Sequence, residues 1–219
     1  MIPVKILLEE CENKSTFPET NDYFDVNEEI RWYSNAVGDF KDDKISEFYL
    51  NDTYSKNTRW DLWQEVVQMF NTHQIKTNLD IGSANNHFSY LCIKKEINSI
   101  GLEPRKFLVS QNNENFSRLG ISEKCCYVGN IRTFNETFEN VGDIKFDCVT
   151  ILNFLHGNGH HDKEIVDLIQ VLSNVTKFVV ATLPQSHTGQ QVLNQNFEII
   201  DTTKVGLPLH TMFRNRKIK

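Results

Sequence analysis

The run Asn78-Leu79-Asp80-Ile81-Gly82-Ser83-Ala84-Asn85-Asn86-His87-Phe88, followed by Ile100-Gly101-Leu102-Glu103, constrains this chain more than any other stretch. It reads as a buried strand, a tight turn of small residues, a helix, and a second strand ending on a carboxylate. That order is the layout of a nucleotide-binding βαβ unit, in which small residues let backbone N–H groups approach the ligand and the acid accepts hydrogen bonds from ribose hydroxyls.

The flanking pattern extends the same architecture. Thr58 reads as an N-cap, and Trp63, Val66, Val67 and Phe70 follow at the spacing of a one-faced helix that packs on the sheet. Next come strand 78–82, a helix over about 86–97, strand 99–103 and a helix opening at Pro104, where a missing N–H costs nothing. A short strand at 125–129 and strand 146–152 precede a helix over about 162–174, with Ile165, Leu168, Ile169 and Leu172 on one face. Strands 177–183, 196–201 and 210–216 close the series. Regular βα alternation predicts an α/β three-layer sandwich around a mostly parallel seven-stranded sheet. The last two strands are joined by a loop carrying Gly206 and Pro208, too short for a crossover helix, so they are expected to pair as an antiparallel hairpin at the sheet's edge. Residues 1–57 carry aromatics scattered among acids and read as an N-terminal helical extension or cap; residues 58–219 read as the main domain.

Composition narrows the partners. With 29 acids against 23 bases the formal net charge is −6, which argues against binding nucleic acid through its phosphates. The basic run Arg214-Asn215-Arg216-Lys217-Ile218-Lys219 reads as a solvated strand end. Five cysteines without a CxxC spacing speak against a disulfide framework or zinc knuckle and for a reducing compartment. Met1 to Glu10 is too short and too soon acidic for a leader peptide, and no apolar run reaches membrane-span length, so a cytoplasmic protein is expected.

The turn itself bears on which nucleotide it holds. A dinucleotide site wants GxGxxG, whose third glycine lets the helix pack closely beneath the pyrophosphate. The same register here has Gly82, Ala84 and His87, and a histidine at the third place obstructs both packing and phosphates. A nicotinamide-dependent oxidoreductase is thereby disfavoured. S-adenosylmethionine has no phosphate, so its site needs a tight turn and a few backbone contacts; Asn85 and Asn86 suit such a turn because Asn tolerates left-handed backbone angles.

On these residues the chain resembles the class I, Rossmann-like S-adenosylmethionine-dependent methyltransferases. Their first motif, an acid followed by glycines at alternate positions, is matched by Asp80-x-Gly82-x-Ala84-x-Asn86 with the first glycine kept and two replaced. Glu103 falls where the family has its ribose-binding acid, Phe146 to His156 looks like the family's fourth strand, and the terminal hairpin matches its reversed last strand. The resemblance covers about residues 58–216. It implies that the backbone of Gly82, Ser83, Ala84 and Asn85 lines the methionine part, with Asp80 fixing the turn or meeting the amino group through water. It also implies that Glu103 holds the ribose hydroxyls, that Asn130 and Ile131 border the adenine, and that Asn153, closing the fourth strand, joins the cofactor set. The family more often has Asp at the place of Asn130, and the altered glycines leave open a relative that keeps the fold without turnover.

An acceptor hydroxyl requires a general base. The candidates are His156, His160 and His161, which follow the fourth strand and overlook the C-terminal edge of the sheet, where ligands bind in open α/β folds. His156 is the first choice as base, against a role in shaping the loop. The same histidines with Asp162 invite a metal reading, but the glycines at 157 and 159 deny them a fixed geometry, and no metal is expected. Asp162 reads as the N-cap of the next helix. Asn153-Phe154-Leu155-His156 stands where enzymes acting on base amines carry an Asn/Asp-Pro-Pro-aromatic run, and no Cys follows a Pro as in the cytosine carbon-5 enzymes. The remaining expectation is a hydroxyl on a small molecule or a carbohydrate.

Overall fold

The computed structural model describes residues 2–15, 58–84, 86–121, 123–152, 162–182, 187–204 and 209–218, with the backbone alone at 58–61, 162 and 187. The chain divides into a unit of Met1–Ser15 with Thr58–Lys219 and a second of Thr16–Asn57. The second, on which most of the expected N-terminal extension or cap falls, lies outside the described residues.

In chain order the elements are α1 (Val4–Lys14), α2 (Thr58–Thr72), β1 (Thr77–Ile81), α3 (His87–Lys94), β2 (Asn98–Glu103), α4 (Lys106–Arg118), β3 (Cys126–Val128), α5 (Ile131–Phe138), β4 (Phe146–Ile151), α6 (Asp162–Val175), β5 (Thr176–Ala181), α7 (His187–Asn196), β6 (Phe197–Thr202) and β7 (Thr211–Asn215). The sheet runs β3-β2-β1-β4-β5-β7-β6. Its first five strands are parallel, and β7 is antiparallel to both β5 and β6. This is the expected α/β three-layer sandwich with its terminal hairpin at the edge.

Alternation along β1 builds the two faces. Leu79 and Ile81 enter a core with Leu7 and Leu8 of α1, Phe134 and Phe138 of α5, Leu168 and Leu172 of α6, and Leu193 of α7. On the other face Val66, Val67 and Phe70 of α2 and Phe88, Leu91 and Cys92 of α3 meet Cys148, Val180 and Met212 from the strands, so α2 packs on the sheet with the face its spacing marked. Asn78 and Asp80 lie on this side. The hydroxyls of Ser99 and Thr150 both lie within hydrogen-bond reach of Asn78 Nδ2, at 3.0 and 3.2 Å, and Thr150 donates to Asp80 Oδ1 at 2.8 Å.

Several boundaries differ from expectation for identifiable reasons. β1 stops at Ile81 because Gly82 turns left-handed at φ 77°. α3 ends at Lys94, short of 97, because Glu96 adopts φ 62° and Ile97 N–H returns to the Cys92 carbonyl, a left-handed C-terminal closure. α4 opens at Lys106, since Arg105 is extended and its N–H goes to the Glu103 side chain, not into a helix. Helices α5 and α7 are absent from the sequence expectation. α5 is capped by Asn130, whose Oδ1 accepts from Thr133 N–H while Asn130 N–H donates to Thr133 Oγ1.

The three-residue strand β3 forms one border of the sheet, and Asn113 of α4 reaches over it. Its Oδ1 accepts from the N–H groups of Cys125 and Cys126, and its Nδ2 donates to the Cys126 carbonyl at 2.8 Å. No helix among the described residues is long and apolar enough to cross a membrane.

Candidate functional site

The βαβ unit β1-α3-β2 places Asp80, Gly82, Ser83, Ala84 and Glu103 together at the carboxyl ends of two neighbouring strands, in register from Asp80 opposite Gly101 to Ile81 opposite Leu102. The N–H groups of Gly82 and Ser83 both point at the Leu102 carbonyl, at 2.8 and 3.3 Å, and Ala84 N–H donates to Glu103 Oε2 at 2.9 Å. Three successive donors of the turn are thus bound to β2. Glu103, 1% exposed, also accepts on Oε1 from Arg105 N–H at 3.1 Å and from Arg105 Nε at 2.6 Å.

The two replaced glycines retain the left-handed backbone that glycine favours: Ala84 has φ 48° and Asn86 φ 57°. Such a conformation costs an L-residue roughly 1–2 kcal/mol, least for Asn. At Ala84 the turn is secured at both ends of the residue, by Glu103 at its N–H and by Asn112 Nδ2 at its carbonyl, 2.8 Å away. At Asn86 the side chain is fully buried and crosses β2 to donate to the Cys125 carbonyl at 3.1 Å. It passes over Gly101, where any Cβ would collide with the Asn86 carboxamide and the Ser83 hydroxyl. The room that a glycine in the turn provides is supplied here by a glycine on the adjoining strand. Gly101 and Asn112 shape the turn, and neither has a role assigned from the sequence alone. Only the strand register of Gly101 would have marked it, and nothing local marks Asn112.

Burial sets the charge state around the turn. Desolvation pushes the Asp80 carboxyl up to about 7, helped by the charge of Glu103 and opposed by the Thr150 hydrogen bond. Burial holds the His87 imidazole down to about 3, so it is neutral at physiological pH. His87 opens α3 beside Trp63, ring centroids 6.2 Å apart. Burial raises the thiols of Cys11, Cys92, Cys125, Cys126 and Cys148, which leaves these five protonated and poorly nucleophilic.

Asn130 and Ile131 follow β3 directly, and Gly129 N–H joins the Glu103 carbonyl at 3.1 Å. The Asn130 side chain caps α5 and the Ile131 side chain enters the apolar core. Asn85, Asn153, His156, His160 and His161 lie outside the described residues, as does the Asp162 side chain. Among the described residues no group of three His, Cys, Asp or Glu side chains is arranged to hold a metal ion.

No family model matches the chain, and no curated protein matches its sequence. Solved structures do match its fold. The PH0226 protein from Pyrococcus horikoshii OT3 is 14% identical with a TM-score of 0.57, over 78% of this chain and 99% of that one. Magnesium protoporphyrin IX methyltransferase, ChlM, from Synechocystis PCC 6803, solved with bound S-adenosylmethionine, is 13% identical with a TM-score of 0.56, over 89% of this chain and 98% of that one. The bifunctional kinase-methyltransferase WbdD is 18% identical with a TM-score of 0.55 over 78% of this chain, which spans 43% of WbdD. The strand order, the reversed β7 and these matches agree: the chain has the class I methyltransferase fold.

Proposed function

We propose that the chain binds S-adenosylmethionine and transfers its methyl group to an oxygen of a small molecule or a carbohydrate. The observation that carries this reading is the inward turn of the Gly82, Ser83 and Ala84 N–H groups onto Leu102 and Glu103. A turn whose donors are bound to its own chain offers no cradle for a pyrophosphate, and S-adenosylmethionine brings none. Glu103 suits the ribose: a carboxylate has about four acceptor positions, and of these Ala84 and Arg105 occupy three.

The bound cofactor supplies an electrophilic methyl on a sulfonium. Gly82, Ser83, Ala84 and Asn85 would line its methionine part, Asp80 would fix the turn or meet the amino group through water, Glu103 would take a ribose hydroxyl, Asn130 and Ile131 would border the adenine, and Asn153 would join the cofactor set. The protein's remaining work is to hold the acceptor in line and exclude water. His156, following the fourth strand with His160 and His161, takes the proton of the acceptor hydroxyl. The acidic balance of the chain favours a small or sugar acceptor over nucleic acid.

Calorimetry tests the cofactor. S-adenosylmethionine and S-adenosylhomocysteine bind at micromolar concentration, NAD does not, and Glu103→Ala weakens both by about 100-fold, the loss expected for a buried charged acceptor. His156→Ala lowers turnover about 100-fold with cofactor affinity kept; an unchanged rate removes it from the mechanism. A second reading, a protein that keeps the fold without turnover, draws on the engagement of both Glu103 oxygens by the chain itself. Absence of S-adenosylhomocysteine binding at millimolar concentration would select it.

A further inference from the structure

The turn after β1 is conformationally expensive at Ala84, and one side chain outside the motif meets it. Asn112 lies in the second turn of α4, is 2% exposed, and directs its Nδ2 to the Ala84 carbonyl at 2.8 Å. The same nitrogen lies 3.8 Å from Cys126 Sγ, and Cys126 in turn touches Ser83 Oγ at 3.7 Å. Ala84 is therefore clamped: Glu103 of β2 holds its N–H and Asn112 of α4 holds its carbonyl. A residue at φ 48° has no intrinsic preference for that angle, so its geometry must come from partners such as these.

We propose that Asn112 is a positioning residue of the cofactor turn, fixing Ala84 in its left-handed conformation and through it the orientation of Glu103. Its consequence for ligand affinity rests on the S-adenosylmethionine reading; its consequence for the turn does not. Loss of the Asn112 donor frees the Ala84 peptide to leave the left-handed region, and Ala84 N–H then leaves Glu103. Glycine at 84 removes the conformational cost and so makes the clamp dispensable.

The test compares the wild type, Asn112→Ala, the volume-conserving Asn112→Leu, Ala84→Gly, and Asn112→Ala combined with Ala84→Gly, by hydrogen exchange of the peptide spanning 82–91 and by titration with S-adenosylhomocysteine. Asn112→Ala and Asn112→Leu are expected to speed exchange of the turn amides about tenfold and to weaken S-adenosylhomocysteine binding about tenfold, the size of one such interaction. Adding Ala84→Gly is expected to restore affinity to within about threefold of the wild type. Rescue separates positioning from simple loss of packing, which glycine at 84 would not repair. Unchanged exchange in both Asn112 variants overturns the proposal, as does failure of rescue in both readouts. If the wild type does not bind S-adenosylhomocysteine, the cofactor reading falls, and the exchange measurements decide the role of Asn112 by the same criteria.

Discussion

The two faces of the sheet are built by the same strands to different ends. Toward α1, α5, α6 and α7 the strands present Leu79, Ile81, Leu102, Tyr127, Val149 and Phe213, closely packed with Phe134 stacked on Phe138 at 4.5 Å. Toward α2, α3 and α4 the central strands turn small or polar residues: Asn78 and Asp80, Ser99 and Gly101, Cys126, Cys148 and Thr150. Here a chain of side-chain hydrogen bonds runs from Ser89 of α3 through Ser99, Asn78 and Thr150 to Asp80. An apolar face stabilises in proportion to area buried. The polar row contributes little net stability beside the apolar contacts that α2 and α3 make with Cys148, Val180 and Met212 on the same side, but it fixes which atoms meet at its upper rim, where Asp80 and Glu103 stand.

Four substitutions put this contrast under stress. Phe134→Ala, on the apolar face, is expected to cost about 3–5 kcal/mol in denaturant unfolding while leaving S-adenosylhomocysteine affinity of the folded fraction unchanged; a binding defect larger than the stability defect would break the division of labour. On the polar face, Asp80 has a carboxyl raised from 3.8 to about 7 by burial. A folded value above the unfolded one contributes stability that is complete below pH 4 and lost as pH rises to 7. At about 1.4 kcal/mol per unit, the stability of the wild type relative to Asp80→Asn should fall by up to about 4 kcal/mol across that window and level off above it. His87 is common to both proteins and cancels in the difference, so a flat difference would show that Asp80 is ionised throughout.

Gly101→Ala sharpens the contrast at the boundary between strand and turn. It is expected to destabilise by about 1–3 kcal/mol through collision with the Asn86 carboxamide and the Ser83 hydroxyl, and combination with Asn86→Gly should recover part of that loss in thermal unfolding, the Ser83 contact remaining; additive losses would mean Gly101 and Asn86 do not share the space. The smallest effect belongs to the exposed hairpin, where Arg214 pairs with Glu198. Arg214→Ala is expected to change stability by less than about 1 kcal/mol and to be insensitive to added salt beyond that, as measured by chemical denaturation.

How much of this was legible in the sequence depends on the range over which each feature is encoded. The alternation in β1, the turn at Gly82, the apolar stripe on α6 and the short loop before β7 are local patterns, and each led to the element observed. α5, absent from the sequence expectation, carries a local signal: Asn130 and Thr133 at capping spacing, with Ile131, Phe134 and Phe138 on one face. α7 had little signal, since Val192 and Leu193 are its apolar residues among Gly189 and amides. The compensation of Asn86 by Gly101 and the grip of Asn112 on Ala84 join residues 15 and 28 positions apart across a crossover. Their meaning appears once strand register is known, because neither residue is unusual within its own element.

The amide of Asn113 laid over β3 has a consequence for the behaviour of the protein in solution. By engaging the N–H groups of Cys125 and Cys126 and the C=O of Cys126 it imitates an eighth strand one residue long. A border capped in this way gives a second polypeptide nothing to pair with unless three hydrogen bonds are first given up, which protects against fibril-like stacking at that side. The opposite border, β6, has no such cap among the described residues and relies on the irregularity between Ile199 and Asp201. An Asn113→Ala variant gives up the three hydrogen bonds over β3 and is expected to self-associate more readily than the wild type in concentrated solution.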